Sequence, residues 1–600
     1  MSSAPHPKRL DHIEILRGVA VLLVLLYHLR APGFSFAYLG VDAFFVISGF
    51  LMALLYGGMA SGADVSGFYR RRLSRLLPAY YAALIVAVVA AAAIVLPHEF
   101  ADVVRYADWS ALLAPNIGFW FDASYFDYYY FRPILNFWSL GVELQFYLLF
   151  PLIAIGARRF PKTVILLSLA SFGLYLLVYS VSPKTAFFMT PPRIWQFMIG
   201  FYLAGRVSRL PRGTGEAALA ALVATLLAAP FLPVSPTVFA AAIALLAGLY
   251  IFAGLAPRSE GSAPGRALVL LGRYSYSVYL VHFPVIAFLA YRPFGGTRLD
   301  LTPAGIAAAL VLTILLSGLL YHFVEVPLRR RRSARFIAGL AAAGAVAAAG
   351  VAAAAVPLNG ALLPPRQQLA ISAWFDRLPY RCPKLGRLIH PTARSCRIAG
   401  EGGPGVLLVG DSHADLLKGV LGEEVARAGG HLDLMVTNEP LGPALPAEAV
   451  IADAKATGAR AIVVHSLPEH VHLDALASLA ALAGREGISV AFIDPVPPPG
   501  FNVPRHIYSL LQAGQTPRPT RSLADYRRGQ RPLLDRVRAI PGVTLYAPQD
   551  LLCTPLCAIE DGAGHPLYSD EGHLSQTGVK RIRPMLRAVA ATIAPTPSGA

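Results

Sequence analysis

Charge is scarce in this chain. Lys, Arg, Asp and Glu make up only 14% of its 600 residues, while 55% are hydrophobic, and in soluble domains about a quarter of residues are charged. This scarcity excludes an ordinary soluble protein over most of the length. Acidic residues are especially few in residues 1–360, which hold 14 of them against 28 Lys and Arg, whereas residues 361–600 hold 21 against 24. The net charge of +17 therefore belongs mainly to the apolar part.

The basic residues are not clustered as nucleic-acid binding requires. A nucleic-acid site concentrates Lys and Arg on one soluble face, but here they occupy short gaps between apolar runs. That placement is typical of membrane topology. We therefore expect no nucleic-acid partner.

Cysteine is also scarce, with four residues in the chain and none before position 382. Cys382, Cys396, Cys553 and Cys557 fall in two close pairs, which favours two disulfides and an oxidising compartment. Four buried thiols are the alternative. The spacing of the second pair is too short for most metal frameworks and only His565 lies nearby, so we expect no metal site.

Apolar runs dominate residues 1–360. A helix needs about 20 apolar residues to cross a bilayer, and eleven runs lie between the polar gaps, some of them shorter. The runs are about 12–30, 37–56, 77–97, 135–155, 163–181, 193–205, 217–234, 236–255, 267–290, 302–324 and 336–357. They predict a polytopic α-helical membrane bundle of about ten spans plus one linking span. The first run is long enough to remain as an anchor rather than a cleaved signal.

The basic residues also indicate an orientation. With a cytoplasmic N-terminus, the loops on that side hold 17 Lys and Arg and the opposite loops hold seven. The positive-inside rule favours this arrangement. An odd number of spans then places the cysteine-containing part outside the cytoplasm. We expect a bacterial inner (plasma) membrane protein with a periplasmic or otherwise extracytoplasmic C-terminal domain.

Polar side chains interrupt several apolar runs. Arg17 and His28 lie on one predicted helix, about 16 Å apart at 1.5 Å per residue. A charged group at such depth costs about 2.5–3.5 kcal/mol, so it usually faces a partner or a cavity. For His28 the alternative is a neutral histidine bonded to a neighbouring helix. Four more segments contribute polar groups and together favour a polar cavity through the bundle; they carry Asp42, Glu143 with Gln145, Arg273 with His282, and Glu325.

The segment F-Y-R-R-R-L-S-R-L-L-P at 68–78 concentrates four arginines, Arg72 and Arg75 among them. Forked guanidinium donors suit phosphates, so a phosphate-rich cytosolic molecule is one candidate ligand. A plain topology signal in contact with lipid head groups is the alternative.

These motifs resemble the membrane acyltransferase type 3 family over about residues 10–330. The resemblance rests on Arg17 and His28 with ten residues between them, F-F-V-I-S-G-F, the Arg72-x-x-Arg75 loop, F-W-S-L-G-V-E-L-Q-F-Y and Y-S-V-Y-L-V-H-F-P. It implies acyl transfer, commonly of acetyl from cytoplasmic acetyl-coenzyme A, to a surface polysaccharide or glycolipid, with no tightly bound cofactor. It assigns catalysis to Arg17 and His28 and coenzyme binding to Arg72 and Arg75, with Glu143 in support.

Beyond residue 360 the pattern changes to alternating strands and helices, which predicts a soluble α/β domain with parallel strands. A buried strand at 405–410 runs into a helix that opens at Ser412. Further strands are expected at 432–437, 461–466, 489–494 and 543–546, with helices near 472–485, 532–539 and 575–593.

Near the end of the chain, Asp570-x-x-His573 places a carboxylate and an imidazole on one short turn, where they can serve a serine such as Ser412. This arrangement resembles a three-layer SGNH hydrolase domain over about residues 380–595, and the resemblance assigns catalysis to these three residues. In the alternative reading, Ser412 is only a helix cap and His573 a surface residue.

The oxyanion-hole block of that domain is not evident. The nearest candidates for donors are Asn438 and Gly442, and His465 stands where an asparagine is expected. This departure leaves open whether the domain is an efficient esterase.

The sequence therefore predicts a membrane acyltransferase domain at 1–330, a linking span and linker at 331–375, and an extracytoplasmic SGNH-like domain at 376–600. The leading interpretation is an O-acyltransferase, in particular one for acetyl groups, that modifies a surface polysaccharide, lipopolysaccharide or glycolipid. Ser412 would relay acyl groups or hydrolyse them. The alternatives are a glycan or lipid-linked sugar transporter with a tethered carbohydrate esterase, and an esterase anchored by the bundle. A transporter more often shows internal repeats, and so many spans exceed what an anchor needs.

Overall fold

The computed structural model describes residues 10–592 except 123–130, 207, 209, 212, 255–260, 332, 362, 380–381, 383–393, 437–440, 444 and 520. The chain divides into two compact units, residues 1–360 and 361–600. We call the first the membrane unit and the second the sheet unit.

The membrane unit is helical, and its helices make this a multi-pass membrane protein. Within the described part of the chain, eight helices are long and apolar enough to cross a bilayer. They are Ala37–Tyr56, Gly62–Ile94, Phe137–Arg159, Thr163–Val181, Thr214–Phe231, Pro236–Ala253, Pro303–Leu328 and Ala334–Val351, the last being part of a helix that continues to Ala361. Helices Asp11–His28, Ile194–Leu203 and Ala263–Leu289 occupy the other three predicted runs. Ile194–Leu203 has only 10 residues.

Shorter elements complete this unit. They are the helices Pro97–Ala111, Pro115–Asp122 and Pro183–Phe188, the 3₁₀ turn Pro191–Arg193, and a π-helical segment Leu320–Glu325 inside the span Pro303–Leu328. A π-helical turn inside an α-helix often marks a functional position.

Helices Asp11–His28 and Ala263–Leu289 pack with their backbones in contact. A Cβ placed on Gly272 would lie 1.9 Å from the carbonyl oxygen of Glu14, and a Cβ on Gly18 would lie 2.4 Å from a backbone oxygen. Small residues permit such close crossings between membrane helices. Because Arg17 and His28 belong to the first helix, this contact fixes both of them relative to the second.

A second close crossing joins helices Gly40–Tyr56 and Ile194–Leu203. A Cβ on Gly49 would lie 1.9 Å from the carbonyl oxygen of Phe197, and a Cβ on Gly200 would lie 1.9 Å from that of Val46. The glycine of F-F-V-I-S-G-F is therefore required by packing.

The sheet unit contains one six-stranded sheet. Its strands are β1 (Cys396–Ala399), β2 (Gly405–Gly410), β3 (His431–Val436), β4 (Ala459–His465), β5 (Ser489–Ile493) and β6 (Val543–Tyr546). Their order is β1-β3-β2-β4-β5-β6, with β1 antiparallel to β3 and the other neighbours parallel. All residues of β2 are buried, as expected of a strand covered on both faces.

Helices alternate with these strands, and the predicted α/β fold is confirmed. They are Pro365–Ser372, Ser412–Arg427, Ala447–Thr457, Leu473–Arg485, Val503–Gln512, Leu523–Arg538, Gln549–Leu552, Gln576–Arg581 and Arg583–Ala591. One apolar core joins Leu407 and Val409 of β2 to Val450 and Leu479 of two helices. The five predicted strands, β2 to β6, are parallel as expected, and the additional strand β1, which was not predicted, is antiparallel to β3.

The four cysteines form two disulfides, which confirms that prediction. Cys382 is bonded to Cys396, at the start of β1, and Cys553 to Cys557. Both lie in the sheet unit, and both constrain chain segments outside the central strands.

Candidate functional sites

Ser412 lies at the carboxyl end of β2, where the chain enters helix Ser412–Arg427. The strand order reverses around β2, since β3 lies on one side and β4 on the other. Ligands of open α/β sheets bind at such a reversal. Asp411 caps the helix by accepting the N–H of His413 at 2.9 Å. The partial positive charge of a helix N-terminus favours a developing oxyanion beside Ser412.

The structure brings Ser412, Asp570 and His573 into one hydrogen-bonded chain. Ser412 Oγ lies 2.7 Å from His573 Nε2, and His573 Nδ1 lies 2.8 Å from Asp570 Oδ2. A carboxylate accepts at Nδ1, so the neutral imidazole has its lone pair on Nε2, facing the serine. The arrangement can remove the serine proton during nucleophilic attack.

Asp570 is held in place by several donors. Its Oδ1 accepts the backbone N–H groups of Gly572 at 2.9 Å and His573 at 2.8 Å, and its Oδ2 accepts Arg377 Nη2 at 3.0 Å. Burial opposes ionisation of this carboxyl, but the hydrogen bond from His573 and the charge of Arg377 outweigh it and hold the pKa of Asp570 well below its usual range. Asp570 is therefore an ionised acceptor at neutral pH.

Further histidines lie around the hydrogen-bonded series of Ser412, His573 and Asp570. The sequence did not predict that any of them would contact it. The His413 ring stacks on His573 with centroids 4.3 Å apart. Burial, together with the neighbouring His573 and His465, lowers the pKa of His413 to about 3. His413 thus adds no positive charge beside His573. His470 Nδ1 lies 2.9 Å from Asp411 Oδ2 and so supports the helix cap.

His465 ends β4 inside the sheet. Its Nδ1 donates to the carbonyl oxygen of Ile493 at 3.0 Å, and burial lowers its pKa. Within the residues that the structure describes, no three His, Cys, Asp or Glu side chains gather in a way that would hold a metal ion.

No contact with Ser412 is observed for the two predicted oxyanion donors, Asn438 and Gly442, in the described part of the chain. The backbone N–H of Gly442 donates to the carbonyl oxygen of Leu445 at 3.1 Å. A role for Gly442 would require that bond to break. Asn438 lies outside the described residues.

In the membrane unit, four of the predicted residues, Arg17, Arg72, Arg75 and Glu143, line one cavity. Its polar lining consists of Arg17, Ser48, Arg72, Arg75, Ser139, Glu143, Tyr147, Ser275, Tyr276 and Tyr279. Arg72 and Arg75 come from helix Gly62–Ile94, and Glu143 from Phe137–Arg159. Three arginines therefore share a cavity with a single carboxylate in its lining.

Two carboxylates outside the lining, Glu14 and Glu325, also act electrostatically on its arginines. Glu143 accepts hydrogen bonds from Ser48 and Tyr147. Arg17 Nη1 lies 3.1 Å from a carboxylate oxygen of Glu14. Arg72 is buried, and among the described residues its Nε has no hydrogen-bond partner. A buried guanidinium donor without a partner is costly, so this cavity fits an added acceptor such as a phosphate or carbonyl oxygen.

His28 does not belong to the cavity lining and is instead paired with another histidine. Its Nδ1 lies 3.1 Å from Nε2 of His282, and both rings are buried. Tyr279 connects the two places. It lines the cavity, its hydroxyl lies 2.6 Å from Ser139 Oγ, and its ring centroid lies 5.6 Å from that of His282.

Two other polar residues of the membrane segments do not line this cavity. Asp42 forms a buried ion pair with Arg193 at 3.1 Å, and Glu325 accepts Ser277 Oγ at 2.7 Å. Four of the five polar segments nevertheless contribute lining residues, Arg17, Ser48, Glu143 and Ser275 among them, and only the segment of Glu325 contributes none. Asp42 and Glu325 themselves bond with partners on other helices.

Comparison with known proteins gives two family matches. The model described as an acyltransferase domain (Acyl_transf_3) matches residues 10–322, and the one described as an SGNH domain fused to AT3 domains matches residues 381–588. Together they agree with both resemblances expected from the sequence.

Individual relatives support the same comparison. The chain is similar to the O-acetyltransferase OatA of Staphylococcus aureus strain NCTC 8325 / PS 47, with 28% identity over 358 residues. The alignment covers 54% of this chain and 58% of the relative, and the figures for OatA of strain MRSA252 are the same. This chain thus spans little more than half the length of these curated relatives.

One solved structure also matches. It is the periplasmic domain of a Salmonella ser. Paratyphi A lipopolysaccharide acetyltransferase, at 15% identity over 38% of this chain and 98% of that chain, with a TM-score of 0.29. We base no conclusion on a match at that score.

Proposed function

This chain belongs to the acyltransferase family whose model matches residues 10–322, and we propose that it transfers acetyl from acetyl-coenzyme A to a hydroxyl of a surface polysaccharide or glycolipid. The observation that carries this proposal is the cavity shared by Arg17, Arg72 and Arg75 inside a membrane unit. Cationic side chains are expensive there and mark a ligand or a pathway. A polyanionic donor would supply acceptors for the guanidinium N–H groups that the neighbouring carboxylates leave unsatisfied, Arg72 Nε among them.

The donor would bind with its phosphates at the arginines. Guanidinium groups bind phosphate oxygens through two parallel hydrogen bonds. Arg72 Nε is the donor that such an oxygen would satisfy, since the described residues offer it no partner. The chain follows the positive-inside rule when these arginines face the cytoplasm, where coenzyme A is found.

His28 would act as the general base. A sugar hydroxyl is a weak nucleophile at neutral pH, so a base has to accept its proton as the oxygen attacks the acetyl carbonyl. The new bond joins the sugar oxygen to the carbonyl carbon, the carbon–sulfur bond of the thioester breaks, and coenzyme A leaves as the thiol. Arg17, one helix turn from Glu14 and in the cavity lining with Arg72 and Arg75, would hold the donor.

The sheet unit would receive the acetyl group outside the cytoplasm. Ser412 Oγ would attack the carbonyl of the acetyl ester formed in the membrane unit while His573 accepts its proton, and His573 would return that proton to the hydroxyl that leaves. A glycan hydroxyl would then attack the acetyl-serine and give its proton to His573, and this proton would restore the Ser412 hydroxyl as the glycan ester leaves. Residues 331–375 would carry the chain across the membrane to this domain. The hydrogen-bonded chain from Ser412 to Asp570 supports this assignment. If Ser412 instead removed acetyl groups, the same geometry would serve hydrolysis.

The donor site is tested by binding of acetyl-coenzyme A to the purified full-length protein, measured by calorimetry. We expect Arg72→Gln to weaken binding about 10- to 100-fold, because a hydrogen bond to a charged group contributes about 1.5–3 kcal/mol. Arg70→Gln is the matched control, since Arg70 lies on the same helix, carries the same charge and is exposed. Equal weakening in Arg72→Gln and Arg70→Gln would show that acetyl-coenzyme A is attracted only by the general positive charge of this helix, and would contradict a specific donor site at Arg72.

The reaction itself is tested by mass spectrometry of surface glycans from cells with and without the protein. We expect an added mass of one acetyl group per modified hydroxyl when it is present. Identical glycans in the two strains would refute the proposed function.

A further inference from the structure

The pairing of His28 with His282 determines where each ring carries its hydrogen. His282 Nδ1 lies 3.0 Å from the carbonyl oxygen of Val278, and His282 Nε2 lies 3.1 Å from His28 Nδ1. A carbonyl oxygen can only accept. His282 therefore carries its hydrogen on Nδ1, and in the neutral ring its Nε2 is an acceptor.

The acceptor on His282 fixes the tautomer of its partner. Since His282 Nε2 accepts, His28 has to donate to it through Nδ1, and a neutral His28 then has its lone pair on Nε2. The His28 ring also has a hydrogen bond with the backbone of Val24, one helical turn earlier. A hydrogen bond at one ring nitrogen commonly decides which nitrogen of a histidine is basic. The hydrogen bonds therefore run in one direction: His28 donates to His282, and His282 donates to the carbonyl oxygen of Val278.

We propose that His282 is a positioning residue for His28, holding it neutral with Nε2 as the basic nitrogen. This inference rests on the proposed function, in which His28 is the general base. His282 itself does not touch the reacting atoms in this account. It acts through its hydrogen bond to His28, as a carboxylate does in a serine hydrolase.

The proton path follows from this tautomer. The proton of the attacking hydroxyl moves to His28 Nε2 as the oxygen–carbon bond forms, and it then moves to the departing thiolate as the carbon–sulfur bond breaks. In the interval, His28 is an imidazolium whose Nδ1–H still donates to His282 Nε2. His282 keeps its own hydrogen on Nδ1, which donates to the carbonyl oxygen of Val278, so the ring pair gains and loses one proton in total.

A neutral partner suits this location. Both rings are buried in helices of the membrane unit, where a fixed carboxylate would add a charge that costs about 2.5–3.5 kcal/mol on insertion scales. An imidazole accepts the same hydrogen bond without that charge. The helix crossing at Gly18 and Gly272 keeps the two rings in register.

The tautomer is measured directly by ¹⁵N NMR of the full-length protein labelled in histidine, in detergent. The chain has 15 histidines, so the spectrum of His28→Gln is subtracted to identify the His28 signals. We expect a protonated Nδ1 and an unprotonated Nε2. A protonated Nε2, or a doubly protonated ring at neutral pH, would overturn the inference whether or not the protein is an acetyltransferase.

Kinetics of acetyl transfer by the full-length protein test the consequence. We expect His282→Leu to lower kcat by at least about 10-fold and up to about 10⁴-fold, the cost of a wrong tautomer in a serine triad, with KM for acetyl-coenzyme A unchanged. His282→Gln should recover part of this loss, because its Oε1 can accept from Nδ1. A merely structural role would give no recovery by glutamine.

The matched control is His322→Leu, which removes an exposed imidazole from the same unit, bonded to Tyr274 at 2.7 Å. We expect wild-type rates from it. Full activity of His282→Leu together with loss of activity in His28→Ala would refute this inference alone. Full activity of His28→Ala would instead refute the proposed role of His28.

Discussion

Each unit of this protein holds a histidine by its Nδ1 nitrogen, but with a different partner. In the sheet unit, His573 donates to the ionised carboxylate of Asp570 at 2.8 Å. In the membrane unit, His28 donates to the neutral imidazole of His282 at 3.1 Å. Both arrangements leave Nε2 as the basic nitrogen.

The surroundings explain the difference. Asp570 can remain ionised because Arg377 and two backbone N–H groups compensate its charge. No charged group has a hydrogen bond or ion pair with the His282 ring among the contacts described, and this ring is fully buried. Orienting a basic histidine and stabilising its charged form are therefore separate tasks. A neutral partner such as His282 can orient the ring, whereas stabilising the imidazolium requires an ionised partner such as Asp570.

The largest effect is expected at the nucleophile of the sheet unit. Removing a serine nucleophile costs up to about 10⁶-fold in kcat in a serine protease, so Ser412→Ala should abolish release of nitrophenol from p-nitrophenyl acetate by the full-length protein. The O-acetyl content of surface glycans then decides the direction. Relay predicts a decrease in the Ser412→Ala strain and hydrolysis an increase; no change would mean that the domain only binds glycan.

The next largest effect concerns the ionised partner. Asp570→Asn should lower the same esterase rate by about 10⁴-fold, because an amide can hold the imidazole in the wrong tautomer. His282→Gln in the membrane unit should be far milder for acetyl transfer. A comparable loss in both variants would show that His28 also depends on an ionised partner, and would end the distinction between the two units.

Loss of the membrane base should have a somewhat smaller effect. His28→Ala should lower acetyl transfer by about 10²- to 10⁴-fold, the usual contribution of general acid–base catalysis. Membrane insertion should be unchanged because the helix becomes no more polar. The rate of transfer is measured with radiolabelled acetyl-coenzyme A, and membrane insertion by quantifying the protein in the membrane fraction. Arg17→Ala should also abolish transfer, and wild-type rates in either variant would contradict the mechanism in the bundle.

The smallest effect is expected at Asp494, a carboxyl group of the sheet unit that has no ion pair like that of Asp570 with Arg377 among the described residues. Burial raises the pKa of Asp494 to about 7, above the value of about 3.9 in an unfolded chain. The folded state therefore retains a proton that the unfolded state releases. This contribution to stability is fully present below about pH 4 and is lost as pH rises through 7.

We expect Asp494→Asn to become more stable than the wild type as pH rises from about 4 to 7, by about 2–4 kcal/mol, and the difference to level off above 7. Thermal unfolding of the full-length protein in detergent at a series of pH values provides the measurement. A difference that does not change with pH would contradict a raised pKa.

Local patterns were enough to predict much of the sheet unit and its site. The apolar run that became β2, followed directly by Ser412, indicates a strand and a helix, and Asp570 lies only three residues from His573. The alternation of apolar runs also placed β3, β4, β5 and β6 within two residues. Strand β1 was missed because its sequence, C-R-I-A, has only one large aliphatic residue, whereas β6, which is equally short and equally exposed, reads V-T-L-Y.

Pairings between distant residues could not be read from the sequence. His28 and His282 are 254 positions apart, and Asp42 and Arg193 are 151 apart. The sequence identified His282 and Asp42 as polar residues in apolar helices, but the partner of each depends on which helices cross. The small residues at those crossings, such as Gly18 and Gly272, are common in membrane helices and do not specify a partner.

The crossing at Gly18 has a mechanical consequence. The helix that carries Arg17 and His28 touches its neighbour backbone to backbone at the residue beside Arg17, so it cannot slide or rotate without forcing main-chain atoms together. Its two polar groups stay about 16 Å apart. A molecule that contacts both of them therefore has to extend over that distance or move along this helix.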